Sequence, residues 1–190
     1  MSIHEHGYWL TAQPDAPTET GIRHRLDKSL LMALVTVFDG AHVLDLGCGS
    51  GGYYVRALRA AGVMADGYDG NPNTLLDSEG ICQVADLTVP LVLPPVYNWV
   101  LCLEVGEHVP VQYEKEILDN VARNCLFGAV LSWGIPGQDG QGHVNCRDNV
   151  YIQDQMAARG LVHDDDTARH LREAATLAWF KNTIMVFLKI

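Results

Sequence analysis

The sequence lacks paired cysteines, basic runs and long unbroken apolar stretches, and each absence excludes something. Its five cysteines (Cys48, Cys82, Cys102, Cys125 and Cys146) lie far apart, mostly inside apolar runs, with no C-x-x-C spacing. They read as reduced core thiols rather than a disulfide framework. Lysine and arginine number 13 against 23 aspartates and glutamates, for a formal charge of −10, and they form no cluster. Such a surface repels polyphosphate, so a nucleic-acid partner is disfavoured. The longest apolar runs, "LLMALVTVF" and "ADLTVPLVLPPVYNWVLCL", are too short or too interrupted by Pro, Asp and Asn to cross a membrane. The opening "MSIHEHGYWL" has neither a basic n-region nor an apolar h-region. A soluble, cytoplasmic protein with no membrane partner is expected, and no internal repeat or low-complexity segment is present.

What remains is a chain of 190 residues with 48% hydrophobic and 19% charged side chains, the size and mix of a single domain over 1–190. Helix-like and strand-like patterns alternate. "HVLDLG", "VMADGYD", "ICQVAD", "YNWVLCLE", "GAVLSW", "LVHD" and "TIMVFLKI" read as seven strands. Between them "IRHRLDKSLLMALVTVF", "GGYYVRALRAAG", "VQYEKEILDNVARNC", "NVYIQDQMAARG" and "TARHLREAATLA" carry apolar residues at helical spacing. Strands separated by helices imply right-handed crossovers and an α/β, doubly wound, mostly parallel sheet. Any structure capping a site is expected from residues 1–28, whose His4, His6, Tyr8, Trp9, His24 and Asp27 make an unusual tail, with Tyr8 and Trp9 able to wall a pocket.

"VLDLGCGSGGY" ends the first strand and opens a helix, where a backbone without Cβ atoms can approach a ligand closely. Gly47, Gly49 and Gly52 satisfy the G-x-G-x-x-G pattern of dinucleotide sites. Asp45, two residues earlier, argues against a pyrophosphate and suits the amino group of a cationic methionine. The stretch resembles the first motif of class I S-adenosylmethionine-dependent methyltransferases, acidic-x-Gly-x-Gly-x-Gly, matched by Asp45, Gly47, Gly49 and Gly51. The resemblance extends over most of the chain. It implies a Rossmann-like sheet with an antiparallel last strand, supplied by "TIMVFLKI", and S-adenosylmethionine as cofactor. It further implies that Asp69, followed by Gly70, bonds the ribose hydroxyls, that Asp86 contacts the adenine amino group, and that Leu87 lies against the adenine ring.

The fourth strand ends in "CLEVGEHVP". If a helical turn follows, Glu104, Glu107 and His108 stand at i, i+3 and i+4 on one face, at the end of the sheet that faces the crevice. There they either pack and hydrogen-bond or converge on an ion, and Glu104 is also placed to touch the cofactor. The loop after the fifth strand adds His143. Glu-x-x-Glu-His with a later His resembles the metal-dependent branch of the family, which includes small-RNA 2′-O-methyltransferases and ubiquinone-pathway O-methyltransferases. That resemblance implies Glu104, Glu107, His108 and His143 as ligands of a divalent ion, Mn²⁺ or Mg²⁺. The acidity and short length of this chain depart from the RNA enzymes.

A divalent ion acidifies a ligated oxygen, and two neighbouring hydroxyls can chelate it. The acceptor is therefore expected to be a small polar molecule or glycan, a sugar with vicinal hydroxyls, methylated on oxygen, with His143, Glu107 and His108 as the catalytic groups. Without a metal, His143 becomes the base of a small-molecule N- or O-methyltransferase. A chain that binds the cofactor but catalyses nothing, acting as a partner or sensor, is the alternative of another class. Asn145 is a candidate to orient His143 or the acceptor, Arg147 and Arg172 to hold a polar or anionic acceptor, and Trp133 to be core or pocket wall. The run His163, Asp164, Asp165, Asp166 reads as a turn and helix start.

Overall fold

In the strand His42–Leu46 (β1), Val43 packs into one apolar layer and Leu44 and Leu46 into another, and all are buried. A strand buried on both faces needs cover on both sides, which is the signature of a parallel sheet wrapped by helices. The structure, a computed structural model, describes residues 2–11, 26–94 and 96–190.

The elements follow in order: α1 (Lys28–Val37), β1, α2 (Tyr53–Ala60), β2 (Met64–Asp69), α3 (Thr74–Asp77), β3 (Cys82–Val84) and β4 (Trp99–Leu103). Two 3-10 turns, Gly106–His108 and Val111–Tyr113, lead into α4 (Glu114–Asn124), β5 (Gly128–Ser132), α5 (Asn149–Ala157), β6 (Leu161–His163), α6 (Asp165–Ala174), α7 (Phe180–Thr183) and β7 (Met185–Lys189). The strands form one seven-stranded sheet ordered β3-β2-β1-β4-β5-β7-β6. β1 pairs in parallel with β2 and β4, and β3 and β5 extend the parallel set. β7 runs antiparallel between β5 and β6, as the sequence leads one to expect.

One layer is built on α1, α2 and α6, through Leu30, Leu34, Phe38, Val55, Leu58 and Leu171 against Leu101 and Val186. The other sets Ile117 and Val121 of α4 and Ile152 and Met156 of α5 against Val100 and Phe187. Asp164 caps α6 by accepting from the Thr167 amide, as the acidic run implies. Among the described residues no helix is long and apolar enough to cross a membrane.

Among the described residues no helix bridges β3 and β4 next to α4. The intervening extended chain is held instead by two side chains of that helix. Asn120 accepts from the Leu91 amide at 2.8 Å and donates to Leu87 O and Val89 O at 2.9 Å each. Asn124 donates to Leu91 O at 2.8 Å and accepts from the Leu93 amide at 3.2 Å. These amides serve a stretch interrupted by Pro90 and Pro94, which can neither continue a helix nor donate from their own nitrogens.

The first helix pattern in the sequence begins at residue 22, but residues 22–25 and His24 lie outside the described set, and α1 starts at Lys28. Asp27 is the N-cap of α1, with Oδ1 accepting from the Ser29 and Leu30 amides. Its Oδ2 accepts from Thr176 and Leu177 at 2.6 and 2.8 Å, tying the first helix to the chain after α6. Burial alone would raise this carboxyl, but the amides of Leu177, Leu30 and Thr176 outweigh it and hold it below its ordinary value.

Replacing Asp27 by Ala removes a cap and leaves buried amides unpaired, so we expect a loss of about 3 kcal/mol, or about 6–12 °C in Tm by calorimetry. A group with a lowered pKa stabilises the fold above the ordinary value of 3.8 and ceases to do so as pH falls through the lowered value. The gap between wild type and Asp27→Asn is accordingly full at neutral pH and closes in acid.

Candidate functional site

The carboxyl ends of β1, β2 and β4 open onto one crevice, because β1 lies between the other two. After β1 the chain turns through Gly47 and Gly49, at φ of +82° and +69°, a region that side chains disfavour. The Gly47 amide donates to Tyr68 O at 2.8 Å and the Gly49 amide to Asp69 Oδ2 at 2.9 Å, so the acid ending β2 shapes the glycine loop. Asp69 Oδ1 accepts from the Asn71 amide at 2.8 Å. A Cβ on Gly47 would overlap Val105, so the loop passes directly over the chain leaving β4. Asp45 is buried beneath, and burial, followed by the negative charge of its neighbours Cys82 and Asp69, pushes its carboxyl well above the usual range.

Of the cofactor residues expected from the sequence, Gly47, Asp69, Gly70, Asp86, Leu87 and Glu104 line one pocket. Asp45, buried in β1, and Gly49, in the loop, do not line it, and Gly51 packs against the Tyr53 ring at the entry to α2. The N-terminal segment adds His6, Gly7, Tyr8 and Trp9, and Thr88, Val105, His108 and Val109 complete the wall. Residues 2–11 fold back on themselves through an Ile3–Trp9 bridge and a His4 amide to Tyr8 O bond of 2.8 Å. Asn71 Nδ2 anchors the segment at Thr11 O, at 2.9 Å. Tyr8 lies against Gly70, His6 Nδ1 meets Asp86 Oδ2 at 2.5 Å, and Trp9 packs edge-on to His108. Residues 6–9 thus line the crevice, while residues 12–25 lie outside the described set.

Glu107, His108 and His143 each offer one ligand atom within 4.8 Å of the others. Glu104 is outside this group. It leaves β4 at φ +53°, before the 3-10 turn begins, so it does not share the helical face that its i, i+3, i+4 spacing suggests. Its Oε2 accepts from Gln138 Nε2 at 2.6 Å and its Oε1 from Thr183 Oγ1 at 3.3 Å. Neither Gln138 nor Thr183 carries a sequence signal for this role.

Glu107 is fully buried, and neither carboxyl oxygen has a well-formed hydrogen bond among the described residues. Burial, followed by the charge of Glu104, pushes its carboxyl well above the usual range. His143 Nε2 lies 3.9 Å from Glu107 Oε1, and the His108 and His143 rings meet edge to face at 4.9 Å. A buried carboxylate without well-formed hydrogen bonds is expensive, and a cation between it and the two imidazoles would offset that cost. One carboxylate and two imidazoles suit Mn²⁺ or Zn²⁺, and waters or ligand oxygens complete the shell for Mg²⁺.

The loop carrying His143 is held by main chain and by one hub. The amides of Val144 and Asn145 donate to Glu107 O at 2.8 and 3.0 Å. Glu114, at the start of α4, accepts from Asn145 Nδ2 at 3.0 Å, from Arg147 Nε at 2.7 Å and from the Tyr151 hydroxyl. Asn145 therefore orients the loop rather than His143 itself. Arg147 Nε donates to Glu114 and Arg172 Nε to Ile184 O at 2.6 Å, and neither residue lines the pocket. Trp133 is core, with its Nε1 donating to Asn145 O.

No family model matches the chain, and no curated protein matches it. Solved structures do. A magnesium protoporphyrin IX methyltransferase from Synechocystis with bound S-adenosylhomocysteine is 18% identical, covering 84% of this chain and 82% of its own, at a TM-score of 0.62. A sugar N-methyltransferase from Streptoalloteichus is 15% identical over 88% and 89% of the two chains, at 0.64. A TehB-like S-adenosylmethionine-dependent methyltransferase from Corynebacterium glutamicum is 16% identical over 87% and 89%, at 0.61. What the chain shares with them is the fold.

Removing the hub should loosen the loop. For Glu114→Ala we expect a loss of about 2 kcal/mol, with the Val144 and Asn145 amides exchanging hydrogen at least ~10 times faster while β1 and β4 amides keep their protection.

Proposed function

We propose that this protein transfers a methyl group from S-adenosylmethionine to a hydroxyl oxygen of a small polar acceptor, a sugar or glycan with neighbouring hydroxyls, using a divalent cation, Mn²⁺ or Mg²⁺. The observation that carries the reading is the buried Glu107 carboxyl, which has no well-formed hydrogen bond among the described residues and faces His143 Nε2 at 3.9 Å, at the methyl-delivery end of a sheet shared with methyltransferases. In this reading Asp69, Asp86 and Leu87 hold the adenosine part and the glycine loop its methionine part. Glu107, His108 and His143 hold the cation, with Glu104 set aside by Gln138 and Thr183 to face the cofactor.

Bound there, the cation would lower the pKa of a chelated hydroxyl. The cofactor's sulfonium makes its methyl carbon the electrophile. The chain's own task is positioning and exclusion of water. Tyr8 and Trp9 roof the crevice, Trp9 packs edge-on to the His108 ring, and, with His143 on the cation through one ring nitrogen and its Nδ1 against Gln138 O, the proton released by the hydroxyl goes to solvent.

The same geometry favours a second reading, in which Glu107 orients His143 as a general base for an N- or O-acceptor and no cation takes part. A non-catalytic cofactor-binding chain leaves the buried Glu107 without a use.

Calorimetry with S-adenosylhomocysteine and electron paramagnetic resonance with Mn²⁺ separate these readings without knowledge of the acceptor. We expect Mn²⁺ to bind, and Glu107→Gln and His143→Ala each to weaken it at least ~10-fold with cofactor affinity unchanged. Mn²⁺ affinity equal in wild type and both variants would remove the cation. On a panel of sugars, methyl transfer that survives EDTA would favour His143 as base. Asp69→Ala should weaken S-adenosylhomocysteine by about 10–100-fold, the worth of hydrogen bonds to a charged group.

A further inference from the structure

Two of the cysteines meet beneath the glycine loop. Cys48 lies between Gly47 and Gly49, and Cys82 opens β3 in register with Gly67 of β2. A Cβ on Gly67 would stand 2.8 Å from the Cys82 sulfur and 2.9 Å from the Cys48 sulfur, so both sulfurs fill the space that this glycine leaves and face each other there. Gly52, the N-cap of α2, makes room for Cys82 Sγ from the other side. Cys102 and Cys125 pack in the opposite layer, and Cys146 Sγ lies 3.8 Å from His143 Nδ1.

The pair is asymmetric. Both thiols are buried, and Cys48 Sγ donates to Gly49 O at 3.5 Å; the neighbouring Cys82 sulfur, then burial, pushes the Cys48 thiol up, while the Cys48 sulfur, with Arg59 and Arg56 adding to it, draws the Cys82 thiol down. Cys82 is thus the better thiolate and Cys48 the resolving partner.

We propose that Cys48 and Cys82 are an oxidisable dithiol site, converted by small peroxides into an intramolecular disulfide that deforms the glycine loop. The Cys82 thiolate attacks one oxygen of hydrogen peroxide, the O–O bond breaks, and hydroxide leaves and takes up a proton as water. The resulting sulfenic acid is attacked by Cys48, the S–O bond breaks, and a second water forms with the Cys48 proton. The two sulfurs lose two electrons and two hydrogens, and one peroxide becomes two waters.

A disulfide needs the sulfurs at about 2.05 Å, closer than non-bonded contact allows. Closing that gap draws Cys48 toward β3 together with its neighbours Gly47 and Gly49, whose amides bond Tyr68 O and Asp69. The effect on the cofactor rests on the function proposed above; the disulfide itself does not.

The test treats the full reduced chain with graded hydrogen peroxide, digests it without reductant for mass spectrometry, and measures S-adenosylhomocysteine affinity in parallel. We expect a Cys48–Cys82 cross-linked peptide lighter by two hydrogens, an affinity at least ~10-fold weaker, and recovery with dithiothreitol. Cys82→Ser should keep its affinity through the same treatment. Mapping in the wild type decides the cross-link even if that variant folds poorly. Both thiols remaining open to alkylation after peroxide and denaturation, while Cys146 is oxidised, would overturn the proposal. A cross-link that leaves affinity unchanged would refute its effect on the loop. Reduced wild type that binds no S-adenosylhomocysteine would instead defeat the cofactor reading, and the cross-link would still be decided by mass.

Discussion

The seat of β1 between two parallel neighbours is the constraint on which the rest depends. Its register sets Asp45 beside Gly67 on one side and Leu101 on the other. Side chains alternate along a strand, so a slip of one residue would turn Asp45 into the opposite layer and carry the glycine loop out of line with Asp69. Held in this register, three chain turns converge on one volume: the glycine loop, the Asp69–Asn71 corner and the Glu104–His108 turn. The apolar layers fix the strands, and the strands fix the chemistry.

That volume is strongly acidic. Asp45 and Glu107 are buried and both are pushed toward their protonated forms, with Asp69 and Glu104 adding negative charge beside them. Carboxylates gathered in this way repel one another and favour any cation that enters. A sulfonium, an ammonium group and a divalent ion are all cations, so one electrostatic arrangement would serve cofactor and metal alike in the proposed reading. It would also disfavour anionic acceptors, in keeping with Arg147 and Arg172 being engaged elsewhere.

Much of this was legible in the sequence, for physical reasons. Strands buried on both faces read as continuous apolar runs, and the loop glycines stand where positive φ or close approach demands them. The acids at Asp45, Asp69 and Asp86 fall at strand ends because that is where a parallel sheet presents ligand groups. Glu104 was not legible, because helical spacing assumes helical backbone and nothing local announces a left-handed glutamate. The Glu114–Arg147 pair joins residues 33 apart and exists only once β4 and β5 lie side by side. Asn120 and Asn124 did leave a trace: they interrupt the apolar stripe of α4 at i and i+4, and a polar side chain in that position must find partners when buried. Asp27 also followed a readable rule, an acid just before a helical pattern, which its aromatic and histidine-rich neighbours obscured.

One consequence of α4 reaches beyond the contacts it makes. Its first residue fixes the loop that bears His143, while Asn120 and Asn124 fix the extended chain that follows Asp86. The helix is therefore a ruler laid between the two halves of the crevice, graduated at 1.5 Å and 100° per residue. Surface loops elsewhere can lengthen or shorten at little expense, but inserting one residue between Glu114 and Asn120 would swing one set of contacts a quarter turn from the other. Among descendants of this fold, α4 should drift in sequence at its outer face while keeping its length.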